Sequence, residues 1–581
     1  MSNTAPGQMT AQMVSVGTAQ NVAAPWLNCY PAGVDWHMSF APQPLYQLMD
    51  TAVAKFGGYP ATNFLGKTMT YAEIGRLVDR ATAGLQAQGI GRGSKVGLFL
   101  PNCPTFVIYY FAILRTGATV VNFNPLYSHE ELIFQVKDSH TDLMITLDLK
   151  ALFDKVEKLL VEGHLKRALV CSFPALLPST KSVLFRLFKA KEVAHAAKSA
   201  AADKIIAEAA LMANNGAYKK VAINPMEDIA VLQYTGGTTG TPKGAMLTHA
   251  NLTTNMQQVL AWTGGLEPGK EKILGILPFF HVFAMTGVMN LGVATAAEII
   301  MMPRFVLNDA LKLIAATKPT IMPAVPTVLN AMLNHPKIQS FDLSTLKFVL
   351  SGGAPLPIEV KNSFQKLTGC KVVEAYGLSE TSPGATFNPF DGPVKSGSIG
   401  QPLPGTIVSI RAVEDPDKEM PLGTEGEICI KGPQVMKGYW EKPGETANVF
   451  HGGFFRTGDV GKMDDEGFIF ITDRIKDMII CSGFKVFPRH LEEKIYEHPA
   501  VEEVTVIGIK DSYRGEAPKA FIKLKAGTTA TGPEILKFLE PKLSKLEMPA
   551  QIEFRDALPK TMIGKLSKKE LKQEEALRQR G

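Results

Sequence analysis

Residues 234–244 read Tyr-Thr-Gly-Gly-Thr-Thr-Gly-Thr-Pro-Lys-Gly and follow an apolar run at 229–233. Gly236, Gly237 and Gly240 let the backbone approach a polyanion closely. The hydroxyls of Thr235, Thr238 and Thr239 supply donors, and Lys243 supplies charge. Together they make a phosphate-cradling loop. It is not a Walker A loop, because Lys243 follows Pro242 rather than Gly and precedes Gly244 rather than Ser or Thr. A flexible Gly/Thr linker has a similar composition, but this segment is expected between a strand and a helix.

Two downstream segments extend the pattern. His281 lies among aromatics in Pro-Phe-Phe-His-Val-Phe-Ala-Met, residues 278–285. Taken alone, it reads as a packed core histidine. Gly352 and Gly353, in Ser-Gly-Gly-Ala-Pro-Leu at 351–356, follow an expected strand at 348–350. That puts them at a strand's carboxyl end, where open α/β sheets place ligands.

In order, from about residue 40 to residue 573, the chain resembles the AMP-forming acyl-CoA synthetases, the family that includes luciferases and peptide-synthetase adenylation domains. The matching segments are the loop at 234–244, the two above, Glu-Ala-Tyr-Gly-Leu-Ser-Glu at 374–380 and Gly-Phe-Phe-Arg-Thr-Gly-Asp at 453–459. Thr-Asp-Arg-Ile-Lys-Asp at 472–477, Cys-Ser-Gly-Phe-Lys-Val at 481–486 and Leu-Pro-Lys-Thr-Met-Ile-Gly-Lys at 558–565 complete the set. Departures are small: Gly237 where Ser is usual, Ala375 for Gly, Ser379 for Thr, Lys485 for Asn and Lys568 for Arg.

The resemblance implies ATP, Mg²⁺ and coenzyme A as reactants and assigns roles. Thr235, Gly236, Gly237, Thr238, Thr239 and Gly240 bind the nucleotide's phosphates, and Gly353, Ala354 and Pro355 form one wall of the site. Glu374, Ala375, Tyr376, Gly377 and Ser379 belong to the nucleotide motif, with Tyr376 stacking on adenine. Glu380, with Thr235, holds Mg²⁺, for which a hard oxygen ligand is suited. Asp459 accepts both ribose hydroxyls, as a carboxylate can, and Arg474 contacts the nucleotide. Lys476 is the hinge. Ser482, Gly483 and Phe484 line the pantetheine tunnel. Val282, Ala284 and Met285 line the acyl pocket, with His281 beside the pyrophosphate path as a pocket residue rather than a general base. Lys243 and Lys565 stabilise charge, the latter reaching both the substrate carboxylate and the α-phosphate.

The implied reaction activates a carboxylic acid as acyl-AMP and passes the acyl group to coenzyme A. Residues 124–127, 396–400 and 431–436 are most similar to bacterial long- and medium-chain fatty acid–CoA ligases. A dicarboxylate sub-branch acting on pimelate, which would need a distal cation such as Arg304, and an acyl-AMP ligase loading a carrier protein remain open.

Elements that would position these groups alternate between helix and strand from 45 to 147 and again from 228 to about 400. That implies parallel sheet buried on both faces. Short strands at 408–413, 426–431 and 467–471 suggest a β subdomain, and a compact α+β piece follows residue 473. The expected organisation is α/β: a poorly ordered arm at 1–40, a large domain at 41–473 with a basic helical insertion at 172–225, a hinge at 474–476 and a small domain at 477–581. In the insertion, Lys181, Arg186, Lys189, Lys191 and Lys198 interleave with Val183, Leu184, Phe185, Leu187 and Phe188, and an Ala-rich helical stretch follows. Such a segment can contact an anionic membrane peripherally or stand as a solvated surface helix.

With 581 residues the chain needs several cores. It is 45% hydrophobic and 20% charged, with net charge +6 and no dense basic stripe, which gives no case for nucleic acid. Its six cysteines are scattered without a CxxC pair, arguing against disulfides or zinc and for a cytoplasmic setting. No Lys or Arg precedes Lys55, so a targeting peptide is not expected. The apolar runs at 107–114 and 283–302 read as buried helices. Oligomeric state, a homodimer included, is not encoded in any readable pattern.

Overall fold

The computed structural model describes residues 24–235, 241–561 and 564–578. Two large sheets carry the first two-thirds of the chain. The seven-stranded sheet runs in the order Ile205–Ala207, Arg167–Cys171, Leu143–Leu147, Lys95–Leu98, Thr119–Asn122, Ile229–Thr235, Lys243–Thr248. All pairs are parallel except the last, which is antiparallel. The nine-stranded sheet has a parallel centre, from Lys371–Gly377 through Phe348–Gly352, Ile321–Ala324, Lys272–Gly275 and Glu298–Met301 to Pro60–Phe64. Antiparallel strands close both its edges. The expected α/β class is the one observed.

One continuous apolar core joins the two sheets. Its densest element is the helix Pro104–Arg115, in which every residue is buried. Apolar residues occur all round it, so it could only pack inside protein or lipid. Its Arg115 pairs with Asp50 and Asp79, as a buried charge must. No helix among the described residues is long and apolar enough to cross a membrane.

A smaller antiparallel sheet follows, built from Ile407–Arg411, Gly426–Lys431, Phe450–His451, Phe454–Met463 and Ile469–Arg474. Its core includes Trp26 and Trp36. Residues 24–40 are therefore not the loose arm expected: both indoles are buried, and Trp36 Nε1 donates to the Thr406 carbonyl at 3.1 Å. The Ala-, Gln-, Thr- and Ser-rich composition behind that expectation belongs to residues 1–23, whereas 24–40 carries Trp26, Trp36 and Phe40, all buried. A last sheet, from Ile479–Cys481 to Gln551–Phe554, has its own core around Val504, Val506 and Ile522. A 3₁₀ turn at Ile475–Asp477 separates it from the sheet before.

The insertion at 172–225 also departs from expectation. Only Ser179–Phe188 forms a helix of useful length; short 3₁₀ turns follow, and Ile205–Ala207 joins the seven-stranded sheet as an edge strand. Alanine brings helix propensity but little surface to bury, and a short helix without burial is marginal.

Candidate active site

A cavity of about 780 Å³ opens where the two large sheets, the small antiparallel sheet and the last sheet meet. Carboxyl ends of strands line it: Asn122, Gln233 and Thr235 from one large sheet, Leu350, Gly352 and Tyr376 from the other. This is the expected ligand position for parallel sheets.

The phosphate-type loop is set differently from expectation. It joins two antiparallel strands, with Thr235 paired opposite Lys243, and the following helix starts only at His249. Thr235 and Lys243 line the cavity side by side. Gly236, Gly237, Thr238, Thr239 and Gly240 lie outside the described residues. The Lys243 ammonium is buried, paired with Glu445, and lies 5.2 Å from the centre of the Tyr439 ring.

Tyr439 also donates its hydroxyl to Glu380 Oε1 at 2.8 Å. Burial pushes the Glu380 carboxyl up from the usual carboxylate range. Neither Tyr439 nor Glu445 was singled out from sequence. An aromatic in the Gly-Tyr-Trp turn at 438–440 was the available signal. Among the described residues no cluster of three or more His, Cys, Asp or Glu could hold a metal unaided. One carboxylate and a hydroxyl, Glu380 and Thr235, nevertheless fit Mg²⁺, which takes few protein ligands and fills its shell with phosphate and water.

Across the cavity, Asp459 accepts from the Tyr376 hydroxyl at 2.6 Å and pairs with Arg474 Nε at 3.2 Å. Burial and the Asp459 charge raise the Tyr376 phenol well above its ordinary value, so it stays a donor. The turn before Asp459 is fixed by buried Glu427, which accepts from Arg456 Nε at 2.8 Å and the Gly458 amide at 3.0 Å. Glu427 thus positions Asp459 without a motif to announce it.

Lys565 comes from the last sheet's side and enters the same cavity. Its stem crosses Gly353 so closely that a methyl there would sit 2.9 Å from Cε and 3.2 Å from Nζ. Gly353 also has φ +82°, which a side chain would strain. Burial first, and the Arg474 guanidinium second, bring the Lys565 ammonium down to about 8. Burial and the Lys565 charge push His281 down to about 3. His281 is therefore a neutral imidazole, with Nδ1 accepting the Phe283 amide at 3.2 Å. It therefore carries no charge at neutral pH.

Val259, Val282, Phe283, Gly287, Leu350 and Phe387 are among the apolar residues lining the cavity. The segment Met285–Asn290 is a π-helix, whose wider turn brings Thr286 and Gly287 to the cavity. Ala284 and Met285, expected in the pocket, are buried behind it and do not line it. Ala375, Gly377 and Ser379 line the cavity; Ala354 and Pro355 do not. Glu374 is a further correction: it is buried and pairs with Lys361 Nζ at 2.9 Å, off the cavity. Lys476, in the 3₁₀ turn, lines it. Arg304 is exposed and away from it.

Ser482, Gly483 and Phe484 are not at the cavity. They form the hairpin tip between Ile479–Cys481 and Phe484–Val486, and Phe484 is 63% exposed. The adjacent Lys485 faces Glu414 Oε1 at 3.3 Å.

Comparison with known proteins agrees with this arrangement. Residues 49–440 match the AMP-binding enzyme family and residues 490–565 the AMP-binding enzyme C-terminal domain. The chain is 42% identical to a long-chain-fatty-acid–CoA ligase of Bacillus subtilis, covering 95% of this chain and 98% of the relative. It is 37% identical to one from Escherichia coli, covering 94% and 98%. ATP-bound MatB from Rhodopseudomonas palustris superposes with a TM-score of 0.79 at 27% identity, over 91% of this chain and 98% of that one. The chain belongs to the AMP-binding enzyme family.

Proposed function

We propose that the protein activates an aliphatic acid, a medium- or long-chain fatty acid, with ATP and transfers the acyl group to coenzyme A. The observation that carries this reading is the meeting of Lys565 with Tyr376 and Asp459 in one cavity that apolar side chains also line. The names of the relatives support a fatty acid as the acid activated there.

In the first step a carboxylate oxygen attacks the α-phosphorus, the bond to the β-phosphate oxygen breaks, and pyrophosphate leaves. Lys565 would neutralise charge between carboxylate and α-phosphate, and Lys243 would exchange Glu445 for phosphate oxygens. Asp459 and Tyr376 hold the nucleoside end, which is positioning rather than covalent chemistry. Mg²⁺ on Glu380 and Thr235 would supply neutralising charge at the phosphates when bound. In the second step the thiol of coenzyme A gives its proton to solvent, sulfur bonds to the acyl carbon as that carbon's bond to the phosphate oxygen breaks, and AMP leaves.

The same reading places a domain boundary at 474–476. Support comes from the 3₁₀ turn between two separate sheets, about which the last sheet would turn to bring the Gly483 hairpin to the cavity. For the dicarboxylate alternative, Arg304 offers no support, being outside the cavity.

The test is pyrophosphate release with mono- and dicarboxylic acids of graded length, followed by thioester formation with coenzyme A or a holo-carrier protein. Release of AMP, preference for longer monocarboxylic acids and use of free coenzyme A are expected. ADP as product, or transfer to the carrier alone, would overturn the reading.

A further inference from the structure

The helix Ser179–Phe188 is held to the body by its inner side only. Phe185 packs on Phe173, with ring centres 5.1 Å apart, and the Lys181 ammonium donates to the Leu65 carbonyl at 2.7 Å. No residue of this helix is fully buried. On the outer side Val183, Leu184, Leu187 and Phe188 are 57, 52, 69 and 79% exposed. Their spacing, i, i+1, i+4 and i+5, gathers them on one face. These four contribute little to the fold, and a continuous apolar patch on a surface helix marks a contact.

The charges around the patch select the partner. Residues 179–198 contain Lys181, Arg186, Lys189, Lys191 and Lys198 against the single acid Glu192. Arg186, Lys189 and Lys191 are exposed beside the apolar face. Two copies meeting through this face would set like charges together, which opposes a homodimer here. An apolar face with a basic margin is instead complementary to anionic headgroups over acyl chains. With ten residues the helix is far too short to cross the bilayer and would lie in its surface.

We propose that Ser179–Phe188 docks the enzyme on an anionic lipid surface, Leu184, Leu187 and Phe188 entering the acyl boundary and Arg186, Lys189 and Lys191 meeting the headgroups. The proposal does not rest on the catalytic reading, and each can fail without the other.

The test is flotation of the full-length enzyme with phosphatidylcholine vesicles, plain or mixed with phosphatidylglycerol. Binding to the mixed vesicles, weakened by salt, is expected. L187S/F188S should lower partitioning by about ten-fold or more, and K189E/K191E should abolish the preference for phosphatidylglycerol. Both variants should keep wild-type turnover of a short, soluble acid, since none of these residues lines the cavity. Three outcomes overturn the proposal: wild-type enzyme that does not float, L187S/F188S that floats as well as wild type, or a wild-type dimer that L187S/F188S converts to monomer.

Discussion

Two loops of the last sheet domain carry equally clear sequence motifs and occupy opposite environments. The one ending at Lys565 lies inside the cavity, its stem against Gly353 and its Gly564 carbonyl accepting from Thr327 Oγ1 at 2.6 Å. The hairpin at Ser482–Gly483 projects outward, with Phe484 exposed and Lys485 facing a surface carboxylate. One small domain cannot hold both loops in one cavity at once. On the two-step reading proposed above, this arrangement suits the phosphorus chemistry, and the thiol step would require the domain to turn. Breaking one loop should therefore leave the other half-reaction intact.

The largest effect is expected for Lys565→Ala. Removing a charge-stabilising donor costs on the order of 10²- to 10³-fold, and it should appear in ATP–pyrophosphate exchange. Thioester formation from supplied acyl-adenylate and coenzyme A should stay within a few-fold of wild type. Equal losses in both assays would collapse the distinction between the loops.

Gly483→Val is the mirror test. Gly483 has φ +82° with open space around it, so valine would strain the turn without a clash in the present arrangement. Misplacing a positioning loop costs roughly ten- to a hundred-fold, here in thioester formation, while exchange is unchanged. A loss in exchange would mean that the hairpin also matters to the first step.

Both loops were legible in the sequence because each motif is local and each residue's chemistry is short-range. Their placement was not, since it depends on a rigid-body relation no periodicity encodes. The same divide runs through the rest of the site. Tyr376, Glu380 and Asp459 could be named from motifs, but Glu427, which fixes the turn before Asp459, acts from a neighbouring strand. Glu374 looked like a ligand contact until its partner Lys361, thirteen residues earlier, was visible. Ala284 and Met285 were assigned to the pocket by likeness alone, but they lie just before and at the start of the π-helix Met285–Asn290 and are buried off the cavity. The loop at 236–240 was expected to lead into a helix, yet Lys243–Thr248 is a strand of six residues, short enough for the apolar pattern to fit either.

A pH profile separates the loops by a smaller factor. With its ammonium at about 8, Lys565 is charged below that pH and neutral above it. If the first step uses that charge as proposed, kcat/KM for exchange should fall above pH 8, by about ten-fold per unit. Lys565→Arg, whose guanidinium stays charged, should lose that limb. A limb unchanged in the arginine variant would assign it to another group.

The smallest effect tests how the inward loop is held. Thr327, at the start of the helix Pro326–Leu333, donates to Gly564, and Asn330 one turn on donates to the Glu502 carbonyl at 2.9 Å. These bonds tie the small domain to the nine-stranded sheet's side in the arrangement that presents Lys565. Thr327→Val keeps the shape and removes the donor, costing about 1 kcal/mol, which is roughly a five-fold shift against the inward arrangement. Exchange should slow by no more than that factor. Thioester formation from acyl-adenylate should be unchanged or slightly faster, because the proposed turning of the domain would break the same bond. Slowing of both steps would make Thr327 a general support of the fold. The opposite signs distinguish a latch from a brace.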